Sequence, residues 1–290
     1  MARIVVAYCV MCAIWGTTWL GIKISLQYVP PMSGAGIRFL IAGLAFYLLA
    51  LANRKIPTLR EVPWKLVLVM AAFLFGLNYI LTYVSETRLA SGLVSVLFGT
   101  LPFFMFGFGS YLLHERTTSR TWIGAILGFF GVAVISLAGG VSGAPLYGLA
   151  VLGAAASSAF ANVYAKRHSR NDPLVSLPPA MLIAGLVVFL IGVFAEHPDL
   201  SRALQPGSIG AIAYLAIVGS CLAFFLNLWL LQRIDASVVG LSALIIPVIA
   251  VLVGIFFGGE SFGWRDFAGA ALVIVGMWIA LRPQTPAYHS

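Results

Sequence analysis

The sequence predicts an all-α integral membrane protein: ten transmembrane helices in two five-helix inverted-topology repeats around a central cavity. Three observations carry this expectation. Only 9% of the 290 residues are charged against 61% hydrophobic, with mean hydropathy +1.02, whereas soluble domains carry about 25% charged residues. Segments 4–22, 66–85, 89–113, 173–195, 203–232 and 236–259 contain no Asp, Glu, Lys or Arg, and a spanning helix needs about 20 apolar residues. The second half of the chain also repeats landmarks of the first at nearly constant spacing.

The expected spans are 4–25, 32–52, 65–84, 90–112, 120–138, 146–166, 174–195, 208–231, 236–257 and 264–281. The first is bulky and aromatic, lacks a small-x-small cleavage site and is followed by further spans, so it reads as a helix and not a signal peptide. The second and tenth rest on the shorter runs 39–53 and 267–281, flanked by residues able to snorkel or sit in the interface. The third, seventh and eighth follow directly from long uncharged runs. The fourth and ninth carry Pro102 and Pro247 inside apolar sequence. The fifth and sixth come from the 45 uncharged residues of 121–165, which "AGGVSGAPLYG" divides. The connecting loops are too short for a soluble domain. Open sheets cannot satisfy their backbone in lipid, and these runs do not alternate as barrel strands do.

The net charge of +8 points to membrane orientation and not to nucleic acid. With the N-terminus inside, Arg3, Arg54, Lys55, Arg60, Lys65, Arg116, Arg120, Lys166, Arg167, Arg170, Arg233 and Arg282 fall on the inner side, twelve of the 17 basic residues. Lys23, Arg38, Arg88, Arg202 and Arg265 fall outside. The positive-inside rule then places both termini in the cytoplasm of a bacterial-type inner membrane. Cys9 and Cys12 form a C-x-x-C inside an apolar helix, and the four histidines stand singly. Neither pattern suits a metal or cofactor, and none is expected. The tail 283–290 reads as a disordered end.

"ERTTSRTWIGAILGFFG" at 115–131 lies over "ESFGWRDFAGAALVIVG" at 260–276 with Glu, Arg, Gly, Ala, Leu and Gly coinciding at an offset of 145. "LASGLV" at 89–94 resembles "DASVVG" at 235–240, "IAGL" occurs at both 41–44 and 183–186, and Lys23 falls over Lys166. The repeats are therefore 1–140 and 145–282. Five spans is an odd number, so the second copy enters the membrane inverted, an arrangement used by secondary transporters. Pro102 and Pro247 each remove a helix hydrogen bond at the matched position, which marks both as gating hinges. Glu115 and Glu260 follow thirteen residues later at helix ends. Each meets water and a nearby arginine there (Arg116 or Arg120; Arg265), a structural role and not a catalytic one.

The span count, "AIWGTTWLGIK" near the start, and the paired Pro-x12-Glu with a following Gly-x6-Gly helix resemble the drug/metabolite transporter superfamily, specifically its EamA-type members. The resemblance implies a basket of helices around a cavity formed mainly by spans 1, 3, 4, 6, 8 and 9. It also implies export of metabolites, with one branch exporting aromatic amino acids. The sequence departs from internal symmetry at Trp15 and Gly16, which align with Ser158 and Ala159.

Polar residues within spans face other helices or a cavity. The candidates for contact with cargo are Trp15 and Thr18; Asn78, Tyr79 and Thr82; Phe98 and Thr100; Ser158 and Asn162; Phe224 and Asn227; and Ser242. This neutral, aromatic inventory suits an amino acid with an aromatic or other hydrophobic side chain. The deep regions are expected to hold no ionisable residue, with Arg38 near a span end, which points to facilitative export. Efflux of drugs, nucleosides or other neutral metabolites is the alternative. A membrane enzyme acting on lipid-linked substrates would need clustered His, Asp or Glu, which this chain does not offer. Beyond the cargo and the lipid bilayer, the partner to weigh is a second copy, through Gly124-x3-Gly128 or Gly254-x3-Gly258; internal helix packing is the commoner use of such spacing.

Overall fold

The computed structural model describes residues 2–53, 58, 60–89, 94, 97–136, 145–169, 172–258 and 264–281. Every regular element among them is helical. In chain order these are α1 (Ala2–Ser25), α2 (Pro31–Ala52), α3 (Trp64–Glu86), α4 (Leu101–Leu113), α5 (Ser119–Ser136), α6 (Pro145–His168), α7 (Pro173–Glu196), α8 (Pro206–Leu231), α9 (Ala236–Gly240), α10 (Ser242–Gly258) and α11 (Trp264–Leu281), with a short 3-10 helix at Leu200–Leu204 ahead of α8. Six of them, α1, α2, α3, α6, α7 and α8, are long and apolar enough to cross a membrane; the other expected spans fall on shorter apolar helices. Side chains such as Phe194 and Leu146, 75% and 73% exposed, cover the outside. An outer surface this apolar is one that lipid covers.

Proline sets several starts. Pro31, Pro173 and Pro206 open α2, α7 and α8, where the missing N–H costs nothing and the fixed φ suits the helix. Asp172 caps α7 by accepting the Leu174 N–H at 3.0 Å. Two carboxylates cap helices from across the bundle. Glu196, ending α7, accepts the N–H groups of Met32 and Ser33 and the Ser33 hydroxyl at 2.7–2.9 Å. Glu115 accepts the N–H groups of Ala236 and Ser237 at 3.0 and 3.3 Å and the Ser237 hydroxyl at 3.2 Å, at the start of α9. The cation beside Glu115 is Lys166, 3.8 Å away, and not the expected Arg116 or Arg120. Glu260 lies outside the described residues.

Two helices change pitch in mid-course. α3 is π-helical over Met70–Leu77 and α8 over Ile217–Leu222. The wider turn redirects backbone carbonyls, and such segments often occur at functional sites. Pro102 differs from expectation. It sits in the first turn of α4, where proline is tolerated, and the helix is interrupted ahead of it at Gly99–Thr100. Pro247 is inside α10 as expected.

Helix pairing is regular. α1 packs on α8 and α10, and α6 packs on α3 and α4. Exchanging the halves turns one set of contacts into the other. α2 packs most closely on α7, and α5 on α11; each of these pairs exchanges into itself. Both run antiparallel. Gly36 faces Phe189 and Gly43 faces Leu182, while Gly276 faces Gly124 and Gly131 faces Gly269 and Val273. A Cβ at Gly276 would stand 2.5 Å from the Gly124 carbonyl oxygen, and one at Gly36 would stand 2.5 Å from the Phe189 backbone. Gly124 is thus taken up by packing inside the chain and not at a surface for a second copy.

Candidate functional site

The central chamber has a cavity volume of about 110 Å³. Its wall is assembled from α1, α2, α3, α6, α8, α9 and α10, with Phe98, Leu101 and Met105 at and before the start of α4.

On α1, Trp15 and Thr18 lie one turn apart and both face inward. The Thr18 hydroxyl donates to the Trp15 carbonyl at 2.8 Å. The Trp15 ring stands edge-on to Phe224 with centroids 5.4 Å apart, and its Nε1 is buried without a hydrogen-bond partner among the described residues. On α3, Asn78 and Thr82 share a face: the Thr82 hydroxyl reaches Asn78 Oδ1 at 3.4 Å, and Asn78 Nδ2 donates to the Leu74 carbonyl at 3.1 Å. Tyr79 meets Phe39 edge-on at 4.6 Å and lies 6.4 Å from Phe224. Rings from α1 and α3 thus meet Phe224 of α8.

The amides form a chain. Asn227 Nδ2 donates to Asn162 Oδ1 at 2.7 Å, and Asn162 Nδ2 donates to the Ser158 carbonyl at 2.8 Å. This ties α8 to α6 across the chamber. Asn227 Oδ1 accepts no hydrogen bond among the described residues. Ser242 and Pro247 complete the wall from α10. Thr100 does not line the chamber; its hydroxyl is turned to the Leu97 carbonyl at 2.6 Å. Pro102, though buried, is also outside the lining.

One wall residue corrects the sequence reading. Arg38 was expected near a span end, with no ionisable group at depth. It is the eighth residue of α2, about 10 Å along the helix at 1.5 Å per residue, and only 1% exposed. Its Nε donates to Ser220 Oγ at 2.8 Å, Nη2 to the Gly219 carbonyl at 3.1 Å and Nη1 to the Tyr83 hydroxyl at 3.4 Å. The guanidinium carbon lies 5.4 Å from the Phe39 ring centroid and 5.1 Å from that of Tyr79. Both α8 acceptors belong to its π-helical segment, and the Ser220 hydroxyl passes the bond on to the Leu215 carbonyl at 2.9 Å. The start of α2 at Pro31 was the available signal, since it fixes how deep Arg38 must lie. Glu86, the last residue of α3, is a second ionisable group withdrawn from water; its Oε1 is buried without a hydrogen-bond partner among the described residues.

Cys9 is exposed and Cys12 buried, and both are free thiols. No group of three His, Cys, Asp or Glu able to hold a metal ion is found among the described residues.

Apolar helices enclosing one chamber with an aromatic and amide lining are the build of a membrane transporter for small molecules. The chain belongs to the EamA-like transporter family, which matches it twice, over residues 2–137 and 146–282. It is 29% identical over 262 residues to the inner membrane transporter YedA of Escherichia coli (strain K12), covering 90% of this chain and 85% of that one. It is 31% identical over 265 residues to the transporter YvbV of Bacillus subtilis (strain 168), covering 91% and 86%. A probable amino-acid metabolite efflux pump of Salmonella typhimurium (strain LT2) is 27% identical over 282 residues, covering 92% and 90%. A solved crystal structure, 22% identical, shares the fold with a TM-score of 0.83 over 97% of both chains. The family is one of transporters and not of enzymes.

Proposed function

We propose that this transporter exports amino acids with aromatic or other hydrophobic side chains from the cytoplasm. The observation that carries the reading is the chamber itself, where Trp15, Tyr79 and Phe224 present rings beside the Asn162–Asn227 amide pair. Rings of this kind hold an apolar side chain, and amides with spare capacity add polar contacts within the same chamber. A relative named as a probable amino-acid metabolite efflux pump supports the cargo class.

Movement is by alternating access of two inverted halves, 1–140 and 145–282, with both termini cytoplasmic. The antiparallel pairing of α2 with α7 and α5 with α11 supports this arrangement, because equivalent helices of inverted copies run in opposite directions. Pro247 and the interruption ahead of Pro102 serve as hinges. Export is facilitative, since the buried charge at the chamber is an arginine, which does not release its proton in proteins. The buried carboxyl of Glu86 favours a second reading, proton coupling.

The deciding experiment is flux from proteoliposomes of labelled phenylalanine, tryptophan, methionine and threonine, with and without a pH gradient. Saturable movement without the gradient is expected. Movement only with the gradient, abolished in Glu86→Gln, would replace the facilitative mechanism by the coupled one. Failure of every amino acid to move would overturn the cargo and favour neutral drugs or nucleosides.

A further inference from the structure

Resting on the transport reading above, we propose that Arg38 is the recognition site for a carboxylate, so that the cargo class is defined by a carboxylate group attached to an apolar body. Arginine has five N–H donors in a fixed fork. Three are held by Ser220, Gly219 and Tyr83. These bonds set the plane of the guanidinium, and the Tyr79 hydroxyl is a fourth hydrogen-bonding neighbour, a neutral acceptor that a carboxylate would displace. Arg38 belongs to the chamber wall, no Asp or Glu is among the residues lining it, and no described carboxylate lies within ion-pair distance of the guanidinium. A buried cation with no counter-ion is costly, and ring faces and neutral acceptors compensate it only in part. A bound carboxylate supplies the missing charge and stronger acceptors than a neutral hydroxyl, in the bidentate geometry that guanidinium favours.

The neighbours continue the fit. The Thr18 methyl and Arg38 Nη2 both lie against Gly219, at 2.7 and 3.3 Å from where its Cβ would be, so α1 meets the same end of the chamber. The unpartnered Trp15 Nε1 is a further donor on the chamber wall, its ring against Phe224. Along α8, Ser220, Phe224 and Asn227 follow on one face, with Asn227 about 10 Å beyond Ser220 at 1.5 Å per residue. A carboxylate at Arg38 therefore has an aromatic floor at Phe224 one turn away. The charge balance needs the carboxylate but not an ammonium group, which separates this site from one built for amines or for neutral cargo.

The test uses the full-length protein in lipid nanodiscs and four related probes: phenylalanine, 3-phenylpropionate, phenethylamine and phenylalaninamide. Thermal stabilisation is measured as a function of probe concentration. Both carboxylates should stabilise the wild-type protein at concentrations at least tenfold below those needed for the amine or the amide. Arg38→Gln should abolish that preference, and Arg38→Lys, which keeps the charge but not the fork, should retain part of it. Equal stabilisation by amine and acid, or none by either acid, overturns the proposal on the wild-type protein alone, even where a variant fails to fold. Flux of amino acids without a carboxylate preference would sink the Arg38 site and leave the export reading standing. A carboxylate preference without flux of any amino acid would do the reverse.

Discussion

At the scale of single residues, the chamber depends on polar groups that satisfy one another across helices. Replacing Asn227 by leucine removes the donor to Asn162 and strands its Oδ1. Interhelical hydrogen bonds in membranes contribute about 0.6–2 kcal/mol, so a modest loss of thermal stability in detergent is expected. Flux should fall further, at least tenfold in kcat/KM, if these amides also hold cargo; a variant with normal flux would exclude them from the path. Glu115 faces two N–H groups, a hydroxyl and Lys166. Glu115→Ala leaves all of them unanswered and should cost about 2–3 kcal/mol. Glu115→Gln keeps an acceptor and should cost about half as much, measured by thermal unfolding. The faces were readable in the sequence: Asn78 with Thr82, and Ser158 with Asn162, follow from i,i+4 spacing alone. Arg38 was not, because counting basic residues by side of the membrane assigns a charge to a surface without asking how deep the helix carries it.

At the scale of helices, glycine decides which pairs touch. Any side chain at Gly276 collides with the backbone of α5, and backbone cannot yield as a flexible side chain can. Gly276→Val should prevent folding or lower the melting temperature severely. Gly107, in α4, has open space where a Cβ would stand. Gly107→Ala should be neutral or stabilising by up to about 1 kcal/mol, the difference in helix propensity. Opposite signs for the two substitutions in one thermal assay would support this packing, and equal tolerance would contradict it. Long uncharged runs made the helices legible. The π-helical segments were not, because a pitch change depends on which neighbour a carbonyl finds, and composition carries no trace of that. The break before Pro102 was hidden for a related reason: a proline in an apolar run is compatible with a mid-helix kink and with a fresh start.

At the scale of the whole molecule, the exchange of contacts between halves sets an expectation for movement. Single cysteines introduced at Met105 and at Thr18 should change reactivity toward a polar maleimide in opposite directions when excess cargo is added. Parallel changes would argue against two gates working in alternation. Residues next to His114 and next to Trp264 should be labelled from opposite sides of the membrane, and labelling from one side would rule out the inverted halves. The repeat itself was legible from Glu, Arg and glycine at fixed offset. Which helices it brings together was not, since the offset relates positions in sequence and says nothing of the axis between them.

The glycine faces of α5 and α11 also bear on how the chain is made. Gly124 and Gly276 are 152 residues apart, and at about 5–20 residues per second α5 waits on the order of ten seconds for its partner. During that interval a bare small-residue face stands in the bilayer, competent to accept any helix that fits. Two separate polypeptides, 1–140 and 141–290, should therefore find each other when co-expressed and restore a working carrier, because what joins the halves is held in the lipid and not in the link between them.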